Sequence, residues 1–331
     1  MAAKSTGIPE IDGVLEEHLL AQMGRVEDLL RSHIEGDYPL IVETSRHLVD
    51  AGGKRVRPLL TLLASQFGDP LARGVIESAV VCELTHLATL YHDDVMDEAS
   101  LRRGVVSANL RWNNTVAILT GDYLFAKASD LLADLGPEAV RLQARTFERL
   151  VIGQISETQG KTEGLTLLQH YIKVIEGKTG SLIATSARFG AQFAGASETV
   201  IESLTRFGEK IGIVFQLADD VLDVESESAQ SGKTPGTDLR EGVPTLVTLF
   251  IIESEDPADA ALKQILSAPI EDEAIVADVL TQLRSHSALV KAKALVQEYL
   301  DGAVAELAVL PNGAAKSALI SLCNAIAQRS A

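Results

Sequence analysis

Apolar side chains recur every three to four positions along most of this chain, as in VLEEHLLAQMGRVEDLLRSHI (14–34) and VIESAVVCELTHLATLYHDDVMD (75–97). That spacing is the period of an α-helix with a buried face. Sustained two-residue alternation is absent, so no sheet is predicted. The pattern predicts helices over 14–34, 37–50, 56–66, 75–97, 113–134, 138–158, 166–190 and 198–224, then over 244–253, 257–268, 272–284, 287–308 and 313–329. Breaks fall at AGGKRVRP, at GDP from 68, at LGPE from 135 and at SGKTPGTDLREGVP from 231, where glycine and proline interrupt a helix. Segments 75–97 and 198–224 are apolar around much of their circumference, which suits the centre of a bundle. The expected fold is all-α, a single large helical domain over 1–331. Residues 225–242, rich in Ser, Gly, Asp and Glu, form the longest expected loop, and loops of that length in a compact fold are usually functional or mobile.

With 331 residues, 46% hydrophobic and 23% charged, the chain can bury a large core. A net charge of -17 argues against nucleic acid as a partner. Cys82 and Cys323 lie in apolar helical patterns, as buried thiols do, and a reducing cytoplasm is the expected location. The start, MAAKSTGIPEIDG, has no apolar signal core, and no uncharged run reaches the roughly 18 residues that span a bilayer. No transmembrane segment is expected, although contact with a membrane surface is compatible with the sequence.

One stretch changes the picture. In YHDDVMDEASLRRG (91–104), Asp93, Asp94 and Asp97 stand just ahead of Arg102 and Arg103. On a helix Asp93 and Asp97 share a face one turn apart, where like charges repel by a few tenths of a kcal/mol. Alone, the pattern reads as a solvated helix end. A second copy argues otherwise: FQLADDVLDVESE places Asp219, Asp220 and Asp223 at the same spacing, 219 − 93 = 126 residues later. Six carboxylates converging at two helix ends would require cations between them, and oxygen-only ligands select a hard ion such as Mg²⁺.

Mg²⁺ usually completes its shell with substrate phosphates, so basic residues are expected nearby. The candidates are Lys54, Arg55 and Arg57 in GGKRVRP, Arg102 and Arg103, Lys178 in EGKTGSL, and Lys233 in the long loop. Arginine grips phosphate in a bidentate fork and lysine acts as a point charge. Each taken singly is an ordinary surface cation; as a set they indicate anion binding. The GKT strings are not P-loops, because Ile172 and Glu227 stand where a Walker pattern needs its first glycine. His86 lies seven residues before Asp93, two turns along the same face, and Gln216 lies three before Asp219. Tyr91 and His92 beside the acids carry no assignable role.

GGKRVRP, His86 with YHDDVMDEASLRRG, GKTGSL, FQLADDVLD and GKTPGTDL, in this order from about 50 to 245, resemble the all-trans polyprenyl diphosphate synthases of medium or long chain type. The resemblance implies a prenyltransferase in which an allylic diphosphate ionises, isopentenyl diphosphate attacks the cation and a proton is lost. It implies the isoprenoid synthase fold, with the two DDxxD motifs around a deep cavity, and Mg²⁺ as three ions per site. Carried over by position, Asp93, Asp97 and Asp219 bind metal directly, with Asp94, Asp220 and Asp223 in support. Arg102, Lys178 and Lys233 hold the allylic diphosphate, while Lys54, Arg57, His86 and Arg103 hold isopentenyl diphosphate, with Arg55 ranked lower. Thr179 and Gln216 correspond to the polar pair beside the allylic cation. Many relatives carry lysine where this chain has Val243, which leaves Arg240 as the candidate to replace that contact. Family members are commonly homodimers, and the apolar helix over 113–134 suits either an interface or burial against its own chain.

In this family the growing product runs back along the helix that precedes the first acid cluster. Thr89, Ala88 and Thr85 lie four, five and eight residues before Asp93, the last roughly 12 Å away along the axis. Short-chain relatives close the pocket with bulky aromatics at the first two positions, and here both are small. The expected product is longer than C20, in the C30 to C50 range of quinone side chains, with transient membrane contact at release. The alternatives are a short-chain C15 or C20 synthase, a class I terpene cyclase and a non-catalytic partner subunit. The second DDxxD and the cations for two diphosphates favour condensation over the cyclase, and the intact pair of acid clusters argues against the non-catalytic partner.

Overall fold

The computed structural model describes residues 5–226 and 235–328. In chain order the helices are α1 (Gly13–His33), α2 (Pro39–Asp50), α3 (Val56–Ser65) and α4 (Val75–Met96). A two-strand hairpin follows, β1 (Leu101–Arg102) paired antiparallel with β2 (Val105–Val106). Then come α5 (Ala108–Arg111), α6 (Asn114–Leu135), α7 (Pro137–Gln159), α8 (Leu167–Ile175), a π-helical turn at Glu176–Gly180, α9 (Ser181–Phe193) and α10 (Glu198–Glu225). The remainder is α11 (Thr237–Glu241), α12 (Leu246–Ile252), α13 (Ala260–Ile265), α14 (Glu273–Ser285), α15 (Ser287–Glu306) and α16 (Ala314–Gln328). The fold is all-α.

Local chemistry sets the helix ends. Asp12 caps α1, its Oδ1 accepting from the amides of Val14 at 3.1 Å and Leu15 at 3.0 Å. Thr166 and Gln169 form a reciprocal capping box at α8. Gly136, at φ 101°, ends α6, and Pro137 opens α7.

Two expectations are corrected. The helix predicted over 166–190 is interrupted by the π turn, for reasons of packing given below. The loop predicted over 225–242 contains the short helix α11, whose N-terminal amides are capped from Asp223.

Contacts divide the chain into two compact units. The first comprises Met1–Glu148, Leu182–Gly208 and Val309–Leu319, and the second Arg149–Ser181, Glu209–Ala308 and Ile320–Ala331. In the first, α4 packs against α1, α3 and α6. Its burial on nearly every side, from Val75 to Tyr91, explains the all-round apolar sequence. In the second unit, α12 packs against α15 and α8, and α14 against α15.

Candidate active site

The first acid cluster occupies the last turn of α4, with Asp97 as its C-cap. Helix dipoles place partial negative charge at that end, so three carboxylates there need compensation. Arg102 supplies part of it. Its Nε donates to Asp94 Oδ1 at 2.6 Å, and its guanidinium lies 3.7 Å from Asp97. Asp94 is fully buried, and its Oδ2 has no hydrogen-bond partner among the described residues.

The hairpin decides where the two arginines go. Arg103 (φ 54°) and Gly104 (φ 77°) are both left-handed, the geometry of a type I′ turn between paired strands. Arg102 therefore lies with the acids, and Arg103 lies with the GGKRVRP loop. There Arg103 donates to the carbonyls of Leu48 at 2.9 Å and of Gly52, and sits 3.6 Å from Glu83. A Cβ on Gly53 would meet the Arg103 guanidinium at 2.8 Å, so this approach depends on glycine.

The loop residues divide by burial. Arg55 is buried, pairs with Glu27 and Glu83 and donates to Val49 O at 3.2 Å, so it pins the loop to the core. Lys54 is exposed and, with Gly52, Gly53 and Arg55, borders a cavity of about 630 Å³ against Glu27 and Asp28 of α1. Arg57 keeps a buried Nε with no partner among the described residues, and burial pulls its pKa down. His86 is held well below the usual histidine range, first by burial and then by Arg57, Arg103, Arg55 and Arg102. A neutral imidazole beside a partnerless arginine donor is suited to hydrogen-bond an anion without adding a further buried charge.

The chain-length candidates lie on the buried side of α4. Thr85 Oγ1 accepts from Gln143 Nε2 at 2.7 Å, and Thr89 Oγ1 donates to His86 O at 2.8 Å. Ala88 is fully buried where α6 approaches, since a Cβ on Gly121 would lie 3.0 Å from its carbonyl. Tyr91 and His92, unassigned in the sequence, have structural work. The buried Tyr91 hydroxyl donates to Thr44 O and accepts from Leu48 N at 3.3 Å, tying α4 to α2. His92 Nε2 lies 3.1 Å from Ile118 O and packs on Phe125.

The second cluster lies near the end of α10. Asp220 is buried and accepts from Tyr171 Oη, from Leu246 N at 2.9 Å and from Gln216 Nε2 at 3.3 Å. Burial nevertheless pushes its pKa up to about 6. Asp223 accepts from the amides of Thr237 and Asp238 at 3.3 and 3.4 Å. Asp219 is half-buried on the same helix.

Lys178 and Thr179 sit in the π turn, and Lys178 Nζ donates to Glu157 Oε2 at 2.6 Å. Lys233 lies outside the described residues. Arg240, the candidate to replace the contact that Val243 lacks, is ion-paired near the surface. Its fork grips Glu273 through two 2.7 Å bonds, and it also donates to Pro235 O at 2.7 Å.

The donor chemistry of both clusters, all carboxylate oxygen with one buried orphan on Asp94, fits a hard divalent cation. Among the described residues, no three His, Cys, Asp or Glu side chains form a ready metal cage.

Comparison with known proteins gives a consistent result. The polyprenyl synthetase family profile matches residues 38–283. A nonaprenyl diphosphate synthase of Mycobacterium tuberculosis is 46% identical, over 96% of this chain and 95% of the relative. Component 2 of the heptaprenyl diphosphate synthase of Geobacillus stearothermophilus is 37% identical, over 93% of this chain and 95% of the relative. The crystal structure of a geranylgeranyl pyrophosphate synthase from Corynebacterium glutamicum, complexed with calcium and isoprenyl diphosphate, superimposes with a TM-score of 0.88 at 44% identity, covering 97% of this chain and 99% of that one. On these matches the chain belongs to the polyprenyl synthetase family and is a trans-prenyltransferase.

Proposed function

We propose that this protein condenses isopentenyl diphosphate with an allylic diphosphate to give an all-trans polyprenyl diphosphate longer than C20, in the C30 to C50 range. The observation that carries the substrate reading is the partnerless Nε of half-buried Arg57 beside neutral His86, with Arg103 adjoining: hydrogen-bond donors grouped where one is left unmet. Lys54, Arg57, His86 and Arg103 hold isopentenyl diphosphate, and Arg102, Lys178 and Lys233 hold the allylic diphosphate. Asp93, Asp97 and Asp219 are the proposed Mg²⁺ ligands. Asp94 supports its cluster through Arg102, and Asp220 and Asp223 support theirs through the hydrogen bonds they accept. Mg²⁺, when bound, neutralises charge that develops on the departing diphosphate.

The arginines and lysines stabilise that same charge as the allylic C–O bond breaks. The isopentenyl double bond then forms the new C–C bond, and a proton leaves the resulting cation. Thr179 and Gln216 are proposed beside the cation, where uncharged oxygens can face positive charge.

The length assignment rests on Thr85, Ala88 and Thr89, which put no bulky plug on the buried side of α4. It agrees with the nonaprenyl and heptaprenyl relatives, while the Corynebacterium structure keeps a C20 product as the second reading. We place 1–331 in one catalytic domain, because the family match crosses both units and their division falls within α7, α10 and α16. We also place the protein as a homodimer, on the exposed Leu110, Ile118 and Leu119 at and just before the start of α6. The cytoplasm is the proposed location, with the two buried free cysteines in support, and no described helix is long and apolar enough to cross a membrane.

The test compares wild type with Asp93→Asn and Asp219→Asn in condensation assays with Mg²⁺. The reading expects kcat to fall at least about 100-fold in each, the scale of losing one transition-state charge contact. Full activity in either folded variant would contradict the assignment.

A further inference from the structure

Lys178 lies in a π turn, a rare backbone form that often marks functional sites and that α7 packs against at close range. A Cβ on Gly153 of α7 would stand 2.7 Å from Lys178 N and 3.1 Å from Gly177 C. A Cβ on Gly177 would stand 3.0 Å from Arg149 O and 3.2 Å from Gly153 Cα. Four residues beyond Gly153, Glu157 takes the Lys178 ammonium at 2.6 Å. Residues 149, 153 and 157 recur every four positions and so share one face of α7. That face meets the π turn by backbone at 149, by the missing side chain at 153 and by charge at 157. From α10, Glu209 O lies 3.3 Å from where a Gly180 Cβ would be, and Glu209 pairs with Arg149. The π turn is thus held between two helices, with no room for a Cβ at Gly153 and close contact at Gly177 and Gly180.

We propose that Gly153 and Glu157 are positioning residues for Lys178: Gly153 admits the π-turn backbone at contact distance, and Glu157 fixes the direction of the ammonium. The proposal rests on the reading that Lys178 holds the allylic diphosphate. Without Gly153 the turn must shift away from α7, and the lysine moves with it. Without the Glu157 charge the ammonium keeps its reach and loses its direction.

Gly153→Ala and Glu157→Gln test this by steady-state kinetics with each substrate varied in turn, and by calorimetric binding of inorganic pyrophosphate with Mg²⁺. Gly153→Ala is expected to lower kcat on the order of tenfold or more, since displacements of about 1 Å at a reacting centre cost up to 100-fold. Glu157→Gln is expected to raise the allylic KM about fivefold, to leave the isopentenyl KM within about twofold and to keep Tm, an effect the size of one ordinary hydrogen bond. Both variants are expected to weaken pyrophosphate binding. Glu157→Gln guards against misfolding of the alanine variant, because it leaves the backbone contact intact. Unchanged kinetics and binding in a folded Glu157→Gln protein would overturn the proposal, as would equal rises in both KM values accompanied by a lower Tm. Wild type that binds pyrophosphate without turnover would defeat the functional reading, and the binding comparison would still decide the positioning roles.

Discussion

Single residues carry the electrostatic logic. His86 stays neutral because burial and four arginines oppose its proton, so folding suppresses a protonation that the unfolded chain undergoes near pH 6.5. As pH falls through that value the unfolded state takes up a proton that the folded state does not, and stability is lost. Urea unfolding from pH 8 to pH 5.5 is therefore expected to show a decline of up to about 1.4 kcal/mol per pH unit from this group, absent in His86→Gln. Identical pH slopes in the two proteins would contradict a neutral His86. The residue types of the candidate site were legible in the sequence because each proposed chemistry needs its own: carboxylates for a hard cation, guanidinium for phosphate. Their individual contacts were not legible. Arg102 and Arg103 are neighbours in the chain, and only the left-handed pair Arg103 and Gly104 sends one to Asp94 and the other to Leu48 O and Glu83. Arg240 pairs with Glu273, 33 residues along the chain, a partner that its own segment does not announce.

At the scale of elements, α4 matters most, since its core face, its acids and the proposed chain-length positions lie on one helix. Gly121 lets α6 approach it. A Cβ there would stand 2.4 Å from His92 Nε2 and 3.0 Å from Ala88 O. Gly121→Ala is expected to lower stability by about 1–3 kcal/mol in urea titrations, the usual cost of overpacking. On the same helix, Ala88→Phe is expected to shorten the product seen by chromatography, because the added ring takes up space on the side of α4 assigned to the growing chain. An unchanged product distribution would remove α4 as the determinant of length. Hydrophobic periodicity read these helices well because burial of one face is written locally. It missed the π turn, whose close neighbours, Gly153 and Glu209 O, lie outside the segment itself. It missed α11 because five residues carry too little period to detect.

For the whole molecule, a net charge of -17 coexists with a local cluster of arginines, so anion binding is confined to places the chain builds for it. The apolar Leu110, Ile118 and Leu119, 61%, 42% and 55% exposed, are the side chains of the proposed subunit interface. Sedimentation velocity is expected to show a dimer that Ile118→Glu with Leu119→Glu converts to a monomer, and a monomeric wild type would contradict the interface. The most direct test of the whole account is a condensation assay with purified protein, labelled isopentenyl diphosphate and allylic primers from C5 to C20, with products sized by chromatography. The account predicts Mg²⁺-dependent incorporation, abolished by chelation, into all-trans products beyond C20. A folded protein that incorporates no label with any primer would contradict the assignment of condensation, and a product that stops at C20 would contradict the length assigned to it.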